Sequence, residues 1–473
     1  MTTPRRTILA SLLFILNICY FWHKLPTKPK QTLEHRRSQL WHQLLPLLTQ
    51  HAPNCPPPIL HGTAGTHRFD PTNPLPRANF ILNSEEILLP MQTAHDGFIR
   101  AIHTTNFESA YRHGTKGIVT AAGGSYLPTF TVTLKLLRRT GSTLPVEVFM
   151  KDATEYEAIA CETILPPLGA KCILLSDLTP DLDFENLTGF QLKALAILFS
   201  SFEDVLWLDA DCVPLHDPAP LLGSEPFATN GLVTWPDFWA DTASPVYFEV
   251  SRRKELDATD ARARARAASE AGMLLLSKKS HFGMLLLAVY YNVYGPAFYY
   301  PLLSQGAPGA GDKDTFLHAA TALDAEFYAV SAPPVDLGRM NTGGKSAVAL
   351  NSGFIQADPI QDYARVRSGG ENGSAPRAFF IHAGNPEFNP GKELLGRRLK
   401  GLDGRPARLW TYPPEALARV GFDAERVFWE ETVAVACEME EVFESWEGKR
   451  GLCEKVRAHF TDVFAVDALG LGF

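Results

Sequence analysis

The stretch FQLKALAILFSSFEDVLWLDADCVPLHDP, Phe190 to Pro218, decides the fold. From Phe190 to Phe199 it is apolar except at Gln191 and Lys193, which predicts a buried helix. Val205 to Leu208 is a short apolar run with the length and setting of a buried strand. Two carboxylates, Asp209 and Asp211, stand where that strand stops. At ~4 Å and an effective dielectric of ~20, their repulsion is on the order of 4 kcal/mol. A divalent ion held by oxygen ligands removes that cost, and such an ion can bridge the carboxylates to a diphosphate and neutralise a departing group. Acids that only cap the strand end are the alternative. A buried Lys193 must shift its pKa or find an anion, for which a substrate phosphate or sugar oxygen would serve; the other reading lays its stem on apolar surface with the ammonium in water.

Upstream, GIVTAAGG from Gly117 reads as a buried strand ending at Gly123 and Gly124, Pro128 opens a helix to Arg139, and Pro145 to Met150 is a second strand. Glu155 to Leu165 is expected to be helical and Ala170 to Ser176 to be a strand. Strands alternating with helices imply an α/β fold, a mostly parallel, Rossmann-like sheet covered on both faces, whose ligands bind at the carboxyl ends of the strands. That rule puts the Gly123-Gly124 turn and the two acids on one rim, as cofactor-binding positions. Downstream, RAFFIHAGNP ends a strand at His382, which can serve as a third ligand for Mn²⁺ or be a core histidine bonded to a carbonyl. GDKDT places Asp312 and Asp314 at a helix start, where they can line a sugar site or simply favour the helix dipole. Trp235 to Trp239 is read as an aromatic loop, either core or a surface for stacking sugars.

The 473 residues carry a formal charge of -8, which offers no basic footprint for nucleic acid. Residues 1–6 are read as a cytoplasmic tail, and Thr7 to Trp22 as an apolar signal anchor about 24 Å long if helical, with a signal peptide as the alternative. Residues 23–84 are expected to be a Pro-rich stem, 85–400 the catalytic domain, and 401–473 a helical extension packed on it. Cys161 with Cys172, and Cys437 with Cys453, are the nearest cysteine neighbours outside the anchor and the first candidates for disulfides; buried free thiols are the alternative. Sequons occur at Asn186 and Asn372.

From Lys116 to Pro390 the chain resembles the fungal Golgi α-mannosyltransferases that build and branch mannan outer chains. The blocks that carry the resemblance are GIVTAAGG, LPVEVFM with EYE and CETILPP, FQLKALAILFSSFEDVLWLDAD, TWPDFW, EAGMLLLSKK, YYNVYGPAFYYPLLSQGAPGAGDKDTF and FFIHAG. The resemblance implies a GT-A glycosyltransferase fold, a GDP-mannose donor, Mn²⁺, an α-mannoside glycan acceptor, and a single-pass type II Golgi membrane protein working in a complex of Golgi mannosyltransferases. On that pattern Asp209 and Asp211 fall on the metal motif. Lys193 and Asp209 fall near the donor, and Glu270, Asp312 and Asp314 become the catalytic candidates. The segment from LPVEVFM to CETILPP is more similar to α-1,2 branch-adding members than to α-1,3 members. The rivals are a non-catalytic Golgi glycan-binding subunit and a haloacid-dehalogenase-like phosphohydrolase. DADCV fits the motif of the latter, but there the acid ends the first strand, and here three strands precede it.

Overall fold

The computed structural model describes residues 31–72, 77–182, 187, 189–253, 267–307, 309, 311–341, 348–369, 374–392 and 396–464. The expected anchor and both sequons lie outside these residues. Among the described residues, no helix is long and apolar enough to cross a membrane.

The main sheet has seven strands in the order β3-β2-β1-β4-β7-β6-β8. They are β1 (Arg112–Ala121), β2 (Val146–Met150), β3 (Ala170–Leu174), β4 (Phe202–Leu208), β6 (Leu232–Ala240), β7 (Ala267–Ser277) and β8 (Tyr328–Ala329). β7 runs antiparallel to both of its neighbours, and every other pairing is parallel, so the sheet is mostly parallel as its alternation with helices predicts. Successive residues point to opposite faces. Leu206 and Leu208 enter one core, whereas Val205 and Trp207 enter the other. Both faces are therefore covered.

On the Trp207 face lie α1 (Leu33–Gln50), α2 (Ser84–Thr104), α4 (Gly189–Phe199), α5 (Lys278–Val293) and α6 (Thr315–Ala322). On the other lie α3 (Leu127–Arg139) and the C-terminal helices α7 (Ala424–Glu438) and α8 (Leu452–Phe464). A second, antiparallel sheet packs there as well, in the order β5-β11-β10-β9, from β5 (Cys212–Pro214), β9 (Val335–Asn341), β10 (Val348–Ala357) and β11 (Ala378–His382).

The expected stem is different in the structure. Leu40, Trp41, Leu44 and Leu48 form a helical stripe that is 2% exposed or less, and the Trp41 indole donates to the Pro180 carbonyl at 2.7 Å. The described residues of the Pro-rich stretch after α1 include no helix, but backbone bonds from Ala64 to Gln305 and from Phe69 to Phe238 tie it to the domain. Extended Pro-rich chain with few donors can still lie along a surface that supplies acceptors. Residues 33–72 and 77–82 are thus part of the folded body rather than a spacer.

Three smaller differences have local causes. Glu155 to Leu165 is not one helix but a 3₁₀ turn, Ala153–Glu155, and a π turn, Ala160–Ile164, cut short by Pro166 and Pro167. The aromatic stretch is strand β6 rather than a loop, and Trp235 is 1% exposed with its indole donating to the Ala357 carbonyl at 2.9 Å. The amphipathic run expected from Glu425 to Glu447 stays helical in α7 only as far as Glu438, and the Cys437–Cys453 disulfide joins α7 to α8, which begins at Leu452. Cys161 and Cys172 form the other disulfide, so both nearest-neighbour pairs are present, with Cys55 and Cys212 as free thiols.

The helix α4 ends against a buried amine. Lys278, fully enclosed at the start of α5, donates to the carbonyls of Ile197 (3.1 Å), Leu198 (3.3 Å) and Ser200 (2.7 Å) and to the Ser200 hydroxyl (2.9 Å). These are the carbonyls that a helix C-terminus leaves without partners. Burial pushes the Lys278 pKa well below the ordinary lysine value, against the attraction of Glu147.

Candidate active site

Asp209, Ala210 and Asp211 are the crossing between the two sheets: β4 ends at Leu208 and β5 begins at Cys212. Each acid is therefore positioned by a different sheet. The Asp209 amide donates to Gly272 in β7 at 2.8 Å, continuing the Leu208–Met273 register of the main sheet. The Ala383 amide donates to the Asp211 carbonyl at 3.0 Å, continuing the Cys212–His382 register of the second sheet. Strand pairing alone brings Glu270 and His382 to the two acids.

The side chains form two linked clusters. Lys193, 5% exposed on α4, donates to the Ala271 carbonyl at 2.6 Å and lies 3.2 Å from Asp209 Oδ1 and 3.0 Å from Asp312 Oδ2. Burial alone would lower its pKa, but Asp209 and Asp312 outweigh it and hold the ammonium charged above the ordinary lysine range. Burial raises the Asp312 carboxyl to about 6 against the pull of Lys193. The anion that Lys193 needs is thus supplied by the protein, not left to a substrate. In the second cluster His382 Nε2 is 3.2 Å from Asp211 Oδ1, and Nδ1 is 3.1 Å from Glu270 Oε1. Burial opposes charge on the imidazole, yet Asp211 and Glu270 overcome it and raise its pKa well above the ordinary value. The pull of His382 in turn holds both acids below their usual range against burial.

Glu270 Oε1 also accepts from the Gly272 amide at 2.7 Å. A Cβ at Gly272 would stand 2.6 Å from His382 Nδ1 and 2.8 Å from Glu270 Oε1, so only glycine lets the imidazole come this close. Asp314, buried ahead of α6, accepts from the Ser269 amide at 2.7 Å, on the strand that carries Glu270. The Gly123-Gly124 turn follows β1, whose Val119–Trp207 register with β4 carries it to the same edge of the sheet. There Gly124 has φ +53°, and Glu155 lies over Gly123.

Sequence reasoning did not single out three neighbours. The Trp207 indole donates to Asp209 Oδ1 at 2.7 Å, and its ring centroid lies 5.2 Å from Lys193 Nζ. Lys313 pairs with Asp237 Oδ2 at 2.9 Å. The signals were present: an indole two residues before the first acid, and a lysine set between two acids.

The rim gathers Asp209, Asp211, Asp237, Glu270, Asp312 and Asp314 around Lys193, Lys313 and His382. Among the described residues, no three of His, Cys, Asp and Glu stand ready as a metal cage, because Asp209 and Asp211 are engaged with Lys193 and His382. The donor set nevertheless suits a divalent ion that takes its remaining ligands from elsewhere: carboxylate oxygens in excess, and one imidazole. Gly384 packs close to the second acid, since a Cβ there would stand only 3.1 Å from Asp211 Oδ2.

A doubly covered α/β sheet with an acidic, lysine-braced rim at its carboxyl edge is the frame of a ligand-binding α/β protein. Residues 115–358 match the Mannosyl_trans3 profile, described as a mannosyltransferase family, and the chain belongs to that family. It is 34% identical over 446 residues to the alpha-1,2-mannosyltransferase MNN21 of Candida albicans, with 81% of this chain and 66% of that one covered. It is 30% identical over 396 residues to the alpha-1,2-mannosyltransferase MNN2 of Saccharomyces cerevisiae, covering 69% and 65%. The chain thus spans just under two thirds of the length of these relatives. Among solved structures it is similar to the glycosyltransferase GlyE of Streptococcus pneumoniae, at 17% identity and TM-score 0.30 over 46% of each chain.

Proposed function

We propose that the protein is a retaining GT-A α-mannosyltransferase that moves mannose from GDP-mannose to an α-mannoside acceptor of N-linked outer chains, forming an α-1,2 linkage. The observation that carries this reading is the junction itself, where strand pairing in two sheets brings Asp209, Asp211, Glu270 and His382 together in a chain of the mannosyltransferase family. Asp209 and Asp211, with His382, would hold Mn²⁺, which when bound offsets the charge of the departing diphosphate.

The residues of the chain set the rest of the mechanism. Lys193 lies between the Asp209 and Asp312 carboxylates and opposes the effect of burial on Asp312, and the Trp207 indole donates to Asp209 Oδ1. In the metal-free chain His382 pairs with Asp211 and Glu270, and the proton on Nε2 would leave when that nitrogen takes the metal. In the transfer the bond from mannose C1 to the phosphate oxygen breaks, the acceptor oxygen bonds C1 on the face just vacated, and the acceptor proton passes to the departing diphosphate. Glu270, Asp312 and Asp314 supply negative charge that stabilises the oxocarbenium-like transition state. An α-1,3 linkage is the alternative product. We extend the reading to a type II Golgi membrane setting, a lumenal catalytic domain and association with other mannosyltransferases there.

The test is incubation of a form that begins before Leu33 with GDP-mannose, Mn²⁺ and an α-mannoside, with the product linkage read by NMR. Asp211→Ala should abolish transfer while unfolding at an unchanged temperature. Retained transfer by Asp211→Ala would overturn the role of this junction. Binding of mannosides by the wild type without any transfer would favour the glycan-binding subunit instead.

A further inference from the structure

Although the whole chain is acidic, residues 396–408 (GRRLKGLDGRPAR) contain Arg397, Arg398, Lys400, Arg405 and Arg408 against Asp403 alone. Between this segment and the β9–β10 pair lies a cavity of about 280 Å³, lined by Arg339, Leu350, Asn351, Ser352, Arg398 and Leu409. No acid lines it. Arg339 is 6% exposed and donates to the carbonyls of Arg408 (3.1 Å) and Lys400, while Arg398 is exposed and reaches the Asn351 carbonyl at 3.3 Å. An arginine carries five N–H donors, so these bonds leave three on Arg339 and four on Arg398. Among the described residues, neither guanidinium has a carboxylate within 4.0 Å. Arg37, which is equally enclosed, faces Glu147.

Burial disfavours the charge on Arg339 and Glu425 only partly offsets this, so an anion in the cavity would be favoured beside it. Two planar forks converging on one small space match the several oxygens of a phosphate better than the two of a carboxylate. The cavity is also next to the rim already described. Ser352 adjoins Gly353, where a Cβ would stand 2.8 Å from the His382 carbonyl oxygen, and Phe354 pairs with His382 itself. At about 280 Å³ it falls just below the range of about 300–1,000 Å³ in which whole drug-sized ligands are enclosed, so it suits one charged group on a larger molecule.

We propose that the Arg339–Arg398 cavity is a phosphate-binding subsite that receives a phosphate ester carried on the acceptor glycan; only the word acceptor rests on the transferase reading. The experiment is calorimetric titration of the full chain with inorganic phosphate and with mannose 6-phosphate. GDP is kept saturating so that the donor site is filled, and Mg²⁺ is used so that phosphate stays in solution. The wild type should bind one mannose 6-phosphate per chain, Arg398→Gln should raise Kd at least tenfold, and Arg398→Lys should bind with intermediate affinity. Arg405→Gln, a basic control at an exposed position, should match the wild type. Absence of binding by the wild type, or equal binding by Arg398→Gln, overturns the subsite. Tighter binding of inorganic phosphate than of mannose 6-phosphate overturns the assignment to a phosphorylated sugar. Normal phosphosugar binding by a chain that transfers no mannose supports the subsite and refutes the transferase reading.

Discussion

Replacing Lys278 with methionine removes the amine that ends α4. Ile197 keeps a second donor, the Ser200 amide at 3.4 Å, but the carbonyls of Leu198 and Ser200 lose the amine. A buried acceptor left without a partner costs about 1–3 kcal/mol, so the two together cost about 2–6 kcal/mol. Relief from enclosing an amine offsets part of this. The expected net loss is about 2–4 kcal/mol in urea denaturation at pH 7.5. The pH dependence carries a sharper signature. The folded-state pKa of Lys278 lies well below that of the unfolded chain, near 10.4, so between those two values the unfolded state binds the extra proton. Wild-type stability therefore rises with pH across that window, by up to about 1.4 kcal/mol per pH unit, and Lys278→Met lacks this contribution. The gap between the two proteins should widen from pH 7.5 to 9.5. A gap under 1 kcal/mol that stays level over those two units would refute the account of Lys278 as an enclosed cap.

The remaining predictions concern the parts that hold the junction in place. Trp41→Ala should cost about 3–5 kcal/mol, because it empties a fully enclosed site under α1; a change below 1 kcal/mol in chemical denaturation would restore the view of this segment as a loose stem. Cys437→Ala with Cys453→Ala opens a loop of 16 residues and should lower stability by about 3 kcal/mol, read in guanidinium, whereas an unchanged midpoint would show that α7 and α8 need no tie. His459 packs against Trp429, and burial lowers its pKa to about 4 despite the opposing effect of Asp462. Between its unfolded value near 6.5 and pH 4 the unfolded state therefore binds more protons, and stability falls as pH falls. His459→Phe should remove about 2 kcal/mol of that acid sensitivity, after a discount for solvent near the ring; equal acid sensitivity in the two proteins would count against it.

The main sheet was legible because its strands are short apolar runs ended by glycine or acid, signals that depend only on neighbours in the chain. The strand before Asp209 and the turn at Gly123 and Gly124 lie at the predicted edge for that reason. His382 could be suggested from its place at a strand end, but its contact with Asp211 depends on β11 pairing with β5, which no local pattern encodes. The same holds for Lys193: enclosure could be read from its apolar helix, but the nearness of Asp312, more than a hundred residues on, could not. Residues 33–50 depart from the expected stem because the stripe at Leu40, Trp41, Leu44 and Leu48 outweighs the proline content that follows it.

The crossing at Asp209 to Asp211 has a consequence for how such a chain can change over generations. Since one acid is fixed by the register of the first sheet and the other by that of the second, exchanging either half with that of a distant relative puts the motif at risk even when both letters survive. An insertion of a single residue there would move every following side chain of β5 to the opposite side. The two halves are therefore expected to be inherited as one indivisible piece, while diversity accumulates at the loops around the rim and at the two ends of the chain.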